Sequence, residues 1–463
     1  MNRRNFLQNS ALLGAGLTLA RPLHGADNVI GANERINMAL IGCGSRGLRT
    51  ILSCAKHNAN VTITAVCDVN RSKLAKAAKA VEKLTGKKPK VTEEMRELFA
   101  DKEIDVAWIA TPEHWHMLAT IWACQAGKDV YVEKNPSINI FEGRQMVKAA
   151  QKYNRVVQVG FQNRSAPYGF SARQYIADGK LGNIVAVKCY NLLGDVPGKR
   201  KPLQEKAPDW INWERWVGPA PLTNFDPNAV KIDDRGGWLG YWAYSGGSLA
   251  DDASHVMDLA RMVIGDPDHP QSVYAWGGNH AYGSDRETPE YQSIIYDFGK
   301  FTLTCENGIA TPYMRKVPGN VRGDPNLFPD WKLTSTRTEI YGTKGLMYLG
   351  RHGGGWQVID AKSYNKNTHG EKAVVVAQEG GKMPDPEHQA NFVQALRTRK
   401  GANGDPEQCH KSATLVHLGN IACRTGNRQL LFDGKAEKFT NSDEANILAR
   451  GTYRKGYVVP ENV

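Results

Sequence analysis

No apolar run in the 463 residues approaches the ~20 that a bilayer-crossing helix needs, so no membrane span is expected. The eight cysteines (Cys43, Cys54, Cys67, Cys124, Cys189, Cys305, Cys409 and Cys423) form no C-x-x-C, and none stands at zinc spacing from a histidine. A chain this long builds its own core and needs no disulfide framework, so they read as small buried side chains. Although the net charge is +12, no block of lysine and arginine is long enough for a nucleic-acid arm, and no nucleic-acid partner is expected. With 41% hydrophobic and 23% charged residues, disorder and fibre-like repeats are excluded. What is there is a basic, enzyme-like chain of two to three domains, at roughly 150 residues each.

Residues 1–30 read as an address followed by a linker. Arg3-Arg4 precede Phe6-Leu7, and the apolar stretch 11–20 is too short to span. This order looks like a twin-arginine export signal, which implies a periplasmic or secreted protein.

Over residues 35–161 two patterns alternate. Apolar, β-branched runs at 36–41, 61–67, 104–110, 129–132 and 156–161 are separated by helical spacing at 48–57, 71–84, 114–126 and 141–153. Strands alternating with such helices predict an α/β fold with a doubly wound parallel sheet, a Rossmann domain. The first strand runs into Gly42-Cys43-Gly44-Ser45-Arg46-Gly47, a G-x-G-x-x-G in the strand–turn–helix setting that gives it meaning. Gly42 permits the tight turn, Gly44 lets the backbone approach a pyrophosphate, and Gly47 lets helix and strand pack closely. Asp68 stands 21 residues after Gly47, where a carboxylate can bind the adenosine ribose. Its charge favours NAD, while Arg46 and Arg71 leave NADP open.

Three more segments carry a resemblance: Ala110-Thr111-Pro112-Glu113-His114-Trp115-His116, Val132-Glu133-Lys134-Asn135-Pro136, and Gly247-Ser248-Leu249-Ala250-Asp251-Asp252-Ala253-Ser254-His255-Val256-Met257-Asp258. With the glycine fingerprint they resemble the glucose–fructose oxidoreductase / inositol dehydrogenase / rhizopine-catabolism (Gfo/Idh/MocA) oxidoreductase family, in its secreted twin-arginine branch. The resemblance implies a second α/β domain over 162–463 with a large open mixed sheet, binding substrate and forming a homodimer or homotetramer. The family's lysine falls on Lys134 and its Asp-x-x-x-His pair on Asp251 and His255. The loop with Thr111, Pro112, His114 and His116 is placed beside the nicotinamide, and Ser45, Glu133 and Gln162 are counted with the cofactor site. One departure is Asn135, where the family usually has proline. A related branch cleaves glycosides with NAD, but its usual active-site motif is not found here.

Oxidising a secondary alcohol needs a base for the hydroxyl proton, a hydride acceptor and a cation near the developing alkoxide. Asp251 and His255 are i and i+4, so a helix over 248–264 puts them on one face, the acid fixing the tautomer of a general-base His255. Asp258 is a second group to orient that histidine. Lys134, at the carboxyl end of a parallel strand, stabilises charge on the reacting oxygen. His114 and His116 are i and i+2, do not share a helix face and lack a third ligand, so no metal is expected.

In the second half, strand signals fall at 183–193, 272–277, 292–298, 301–305, 339–341 and 373–377, and 386–428 reads as two helices. Between them, 194–246 holds Trp210, Trp213, Trp216, Trp238 and Trp242. Such rings either stack on a carbohydrate or staple a long connection. Trp238, Tyr244, Asp252 and Arg164 are the substrate candidates. The leading expectation is an NAD-dependent oxidoreductase acting on a sugar, glycoside or cyclitol with a tightly bound cofactor. The alternatives are redox-neutral glycoside cleavage and a non-catalytic sugar sensor, and the intact Lys134, Asp251 and His255 speak against the sensor.

Overall fold

The computed structural model describes residues 35–195, 200–231, 237–360 and 374–463. The export signal expected at 1–30 lies outside these, as does residue 373 at the start of an expected strand.

The first half runs β1 (Ile36–Ile41), α1 (Ser45–His57), β2 (Val61–Cys67), α2 (Arg71–Thr85), β3 (Lys90–Thr92), α3 (Met95–Phe99), β4 (Val106–Ile109), α4 (Glu113–Gln125), β5 (Asp129–Val132), α5 (Ile140–Lys152) and β6 (Val157–Val159). The six strands form a parallel sheet in the order β3-β2-β1-β4-β5-β6, the doubly wound topology expected. The inner strands are apolar without alternation because helices cover both faces: all four residues of β4 and of β5 are buried. The short β3 and α3 escaped the sequence pattern, since β3 is an exposed edge whose residues bury almost nothing. Local chemistry sets the ends of α2: the Asn70 side chain accepts from Lys73 N–H, and Gly86 closes the helix at φ 73°.

The second half runs α6 (Pro167–Ala177), β7 (Ile184–Leu192), α7 (Trp213–Val217), α8 (Ser254–Val263), β8 (Ser272–Gly278), β9 (Tyr291–Asp297), β10 (Thr302–Gly308), α9 (Gly319–Gly323), β11 (Thr336–Gly342), β12 (Gly345–Gly350), β13 (Trp356–Asp360), β14 (Val375–Glu379), α10 (Asp385–Thr398), α11 (Pro406–Arg424), β15 (Leu430–Asp433), β16 (Lys438–Phe439) and α12 (Asp443–Arg450). Its ten-stranded mixed sheet has the order β14-β13-β12-β11-β7-β10-β9-β8-β15-β16. One face buries Val187, Val273, Ile294 and Leu303 against α8 and α11. The other leaves Val185, Trp276 and Ile295 exposed. No helix among the described residues is long and apolar enough to cross a membrane.

Two expectations change in form. The single helix over 248–264 begins as a π-helical turn, Leu249–Ala253, before α8. The aromatic connection makes a small core of its own. Trp213 and Trp216 stack at 4.8 Å, and Phe225, Tyr241 and Tyr244 close around them. The chain also returns to the first half late. Phe392 of α10 meets the stacked Trp108 and Tyr131 rings edge-on, while Val459 and Val463 join the core beneath α4.

Candidate active site

A single cavity of about 420 Å³ runs from the glycine turn after β1 to the start of the π-helical turn. At one end it is lined by Gly42, Gly44, Ser45, Arg46, Gly47, Asp68, Thr111 and Pro112. Gly42 has φ 91°, and a Cβ there would sit 2.6 Å from the Ala110 carbonyl. A Cβ on Gly47 would fall 2.5 Å from the Gly42 oxygen, so helix and turn are pressed together through two hydrogens. Gly44, by contrast, faces open space. The first-turn N–H groups of α1 have no intrahelical acceptor, which suits a phosphate. Asp68 accepts from the backbone N–H of Cys43 at 2.6 Å and of Asn70 at 2.7 Å, which fixes its carboxylate at the end of β2. Burial raises its pKa against those two bonds. Open space over Gly44, an unpaired helix start and a carboxylate at this distance along the chain together fit a dinucleotide.

The two arginines behave differently from expectation. Arg46 lines the cavity, but it is held by Glu133 at 2.9 Å and by Asp385 of α10 at 3.1 Å. Burial alone would depress its pKa, and the two carboxylates outweigh that and raise it. Arg71 lies outside the cavity wall: it pairs with Glu93 at 2.7 Å and donates to the Asp209 carbonyl. The cation beside Asp68 in the wall is Lys73, one helical position that the charge argument passed over.

At the other end the cavity meets Lys134, Asp251, Asp252, His255 and Arg351, and Trp238 lines it as well. Lys134 follows β5, and its peptide bond to Asn135 is cis. Its Nζ donates to Asp251 Oδ1 at 2.5 Å. Burial acts to lower the Lys134 pKa, but Asp251, Glu113 and Asp252 outweigh it and raise it, so the ammonium stays charged. His255 is buried, with the Phe161 ring edge-on at 5.6 Å. Burial, then Arg351 and Lys134, hold its pKa well below the usual value, so the ring is neutral. The arrangement corrects the sequence pairing. Asp251 serves Lys134 and not His255, whose Nδ1 has no partner among the described residues. Asp252 is the carboxylate whose charge acts on His255.

Six other candidates lie away from the cavity wall. Arg164 is buried in ion pairs with Asp258 at 2.7 Å and Asp266 at 3.0 Å, which occupies both the substrate candidate and the proposed second orienter of His255. His114 faces the Trp216 carbonyl at 3.0 Å, and burial lowers its pKa to about 4. His116 lies between the carbonyls of Asn135 at 2.7 Å and Thr111 at 2.8 Å, and since burial lowers its pKa its single ring N–H donates to one of them at a time. The Gln162 amide donates to the Tyr131 hydroxyl under the sheet. Tyr244 packs edge-on to Trp216 at 4.8 Å within the aromatic core. Of the tryptophans in 194–246, Trp216 and Trp238 reach the cavity.

Sequence reasoning passed over Glu113 and Arg351. Glu113 is fully buried, accepts from Ser245 Oγ at 2.9 Å and Gly246 N–H at 3.2 Å, and burial pushes its pKa up to about 7. Its position directly after Thr111-Pro112 was the available signal. Arg351 follows β12 and has no motif around it. A separate trio, His269, His410 and Glu437, brings ligand-type atoms within 4.8 Å of one another. Glu437 is already clasped by Arg144 at 2.7 and 3.0 Å, so the trio reads as an ion-pair network between α5 and α11.

Three family models match the chain. Residues 36–161 match "Oxidoreductase family, NAD-binding Rossmann fold", 221–348 match "GFO/IDH/MOCA C-terminal domain", and 372–459 match "Oxidoreductase family, C-terminal alpha/beta domain". Among curated relatives, a glycosyl hydrolase family 109 protein of Saccharopolyspora erythraea is 30% identical over 174 residues, covering 33% of this chain and 38% of that protein. A levoglucosan dehydrogenase of Pseudarthrobacter phenanthrenivorans is 29% identical over 176 residues, covering 38% of this chain and 37% of its own length. The match thus spans under two fifths of either relative. The solved WlbA dehydrogenase of Bordetella pertussis, in complex with NADH and UDP-GlcNAcA, superposes with a TM-score of 0.60 at 18% identity, covering 86% of this chain and 99% of that one. It shares the fold.

Proposed function

The chain belongs to the Gfo/Idh/MocA family of NAD-binding oxidoreductases, and from that premise we propose that it oxidises a secondary alcohol of a sugar, glycoside or cyclitol. One observation carries the reading: Lys134 and His255 line the same cavity as the glycine turn, one charged and one neutral. The bound nicotinamide supplies a hydride acceptor. His255, neutral and desolvated, takes the hydroxyl proton. Lys134, held by Asp251, donates to the reacting oxygen and offsets its developing negative charge. Trp238 offers an aromatic face to the carbohydrate ring.

An export signal at 1–30 would carry the protein to a compartment where a loosely held nucleotide is lost by dilution. We therefore read the cofactor as tightly retained NAD, restored within each cycle by passing its hydride to the carbonyl of a second sugar or back to the transiently oxidised substrate, and the exposed sheet face as a homo-oligomer surface. Relatives named as glycosyl hydrolase family 109 proteins favour a second reading, transient oxidation coupled to glycoside cleavage.

The test is a panel of sugars, glycosides and cyclitols on the purified holoenzyme. Following nicotinamide absorbance and sugar products together separates net oxidation from cleavage without net redox change. Loss of both activities in Lys134→Met and His255→Asn, with nucleotide still bound, is the expected result. Full activity in either variant overturns the mechanism.

A further inference from the structure

Behind the reacting end of the cavity, positive charge is in excess. Lys134 already has Asp251 at 2.5 Å, with Glu113 acting on it as well. That leaves Asp252 as the carboxylate for three cations. It takes a contact from Lys316 Nζ, lies 3.6 Å from Arg351 Nη2, and sits close enough to Arg322 to act on its charge. His352, 3.8 Å away, adds no negative charge. Lys316 and Arg322 keep partial contact with solvent, but Arg351 is buried, and a buried guanidinium without a full carboxylate partner is costly unless an anion completes it.

Arg351 is the member of this group that is least satisfied. It is 5% exposed, yet it lines the cavity beside His255 and Lys134. A guanidinium has five N–H donors. Among the described residues, its one hydrogen bond goes from Nη1 to the Met383 sulfur at 3.5 Å, a weak acceptor, and its Nε has no partner. The Asp252 contact, at 3.6 Å, is an ion pair beyond hydrogen-bond reach. The nucleotide does not fill this need, because its phosphates belong at the glycine turn, at the opposite end of the cavity.

Resting on the oxidoreductase reading, we propose that the substrate is an acidic carbohydrate whose anionic substituent docks on Arg351 next to the carbon that loses hydride. A carboxylate matches the guanidinium fork with two parallel hydrogen bonds, and a phosphate ester offers the same acceptors. Bound there, the anion would neutralise the surplus around Asp252 and orient the ring over His255 and Lys134.

The test uses the full-length holoenzyme and matched probes: glucuronate, galacturonate, gluconate and glucose 6-phosphate against glucose, galactose and glucitol. Binding is read by calorimetry and thermal shift. The acidic member of at least one pair is expected to bind about tenfold or more tightly. That preference should disappear in Arg351→Gln and survive in reduced form in Arg351→Lys. The carboxylate and phosphate arms tell which anion is meant. NADH binding, measured on each variant, confirms that it is folded. Equal binding of acidic and neutral partners across the panel overturns the proposal, as does a preference that persists in Arg351→Gln. Hydride transfer is scored separately. Acid-selective binding without nucleotide reduction would sink the oxidoreductase reading and keep the subsite, whereas reduction without acid preference would do the reverse.

Discussion

Replacing Glu113 by glutamine should make the protein more stable at neutral and alkaline pH. The carboxyl is fully buried, and burial moves its pKa from 4.5 to about 7. The folded chain therefore keeps this proton over a range in which the unfolded chain has released it. The stability that the neutral acid contributes is complete below about pH 4.5 and is lost as pH rises through about 7. The whole loss is about 3 kcal/mol, at about 1.4 kcal/mol for each tenfold step in proton affinity. Glutamine is neutral throughout and keeps an amide oxygen for Ser245 Oγ and the Gly246 N–H. Urea unfolding across this range should give nearly equal stabilities below about pH 4.5 and a gain of up to about 3 kcal/mol for Glu113→Gln above about pH 8. Glu142, also raised to about 7, bends both curves alike, so their difference isolates Glu113. Two parallel curves would refute the reasoning.

Other outcomes follow from the same geometry. Lys134→Met should lower kcat by at least about 100-fold, because the donor to the developing oxyanion is gone; steady-state kinetics beside NADH titration by tryptophan quenching would check this. Asp68→Ala, which frees the Cys43 and Asn70 N–H groups and removes the ribose acceptor, should weaken NAD binding about 10- to 100-fold by calorimetry. Arg164→Met should cost about 3–5 kcal/mol in urea, since Asp258 and Asp266 lose a buried partner. The folded fraction of that variant should retain its turnover number, because Arg164 does not reach the cavity.

The nucleotide half was legible because its physics is local. A glycine turn, buried strands without alternation and helices of ten or more residues each leave a mark within one window of sequence. β3 left none, being three residues on an edge, none of them buried. The reacting end was legible only as a set of residue types. Lys134, Asp251 and His255 were singled out, but the partnership among them was read from helical spacing, and Lys134, 117 positions away, takes Asp251 instead. Arg164 looked like a cleft residue from its place after β6, and its true partners, Asp258 and Asp266, lie about a hundred positions along the chain. The tryptophans of 194–246 carried two readings in the sequence. Packing gives them both roles: Trp213 goes to a core, while Trp216 and Trp238 pack with that core and also line the cavity. Arg351 is the instructive omission, for nothing near it in sequence marks it, and only its poverty of partners in space does.

The late return of Phe392, Val459 and Val463 to the nucleotide half makes folding a matter of timing. At about 5–20 residues per second, the ribosome takes roughly 15–60 s to make the stretch between β6 and those side chains. Through that interval the Trp108–Tyr131 stack and the underside of α4 stand uncovered, a sticky surface on a nascent chain. The nucleotide half can thus become fully watertight only once those late residues have been made, and a chaperone that shields it until then would set how much of the protein survives synthesis.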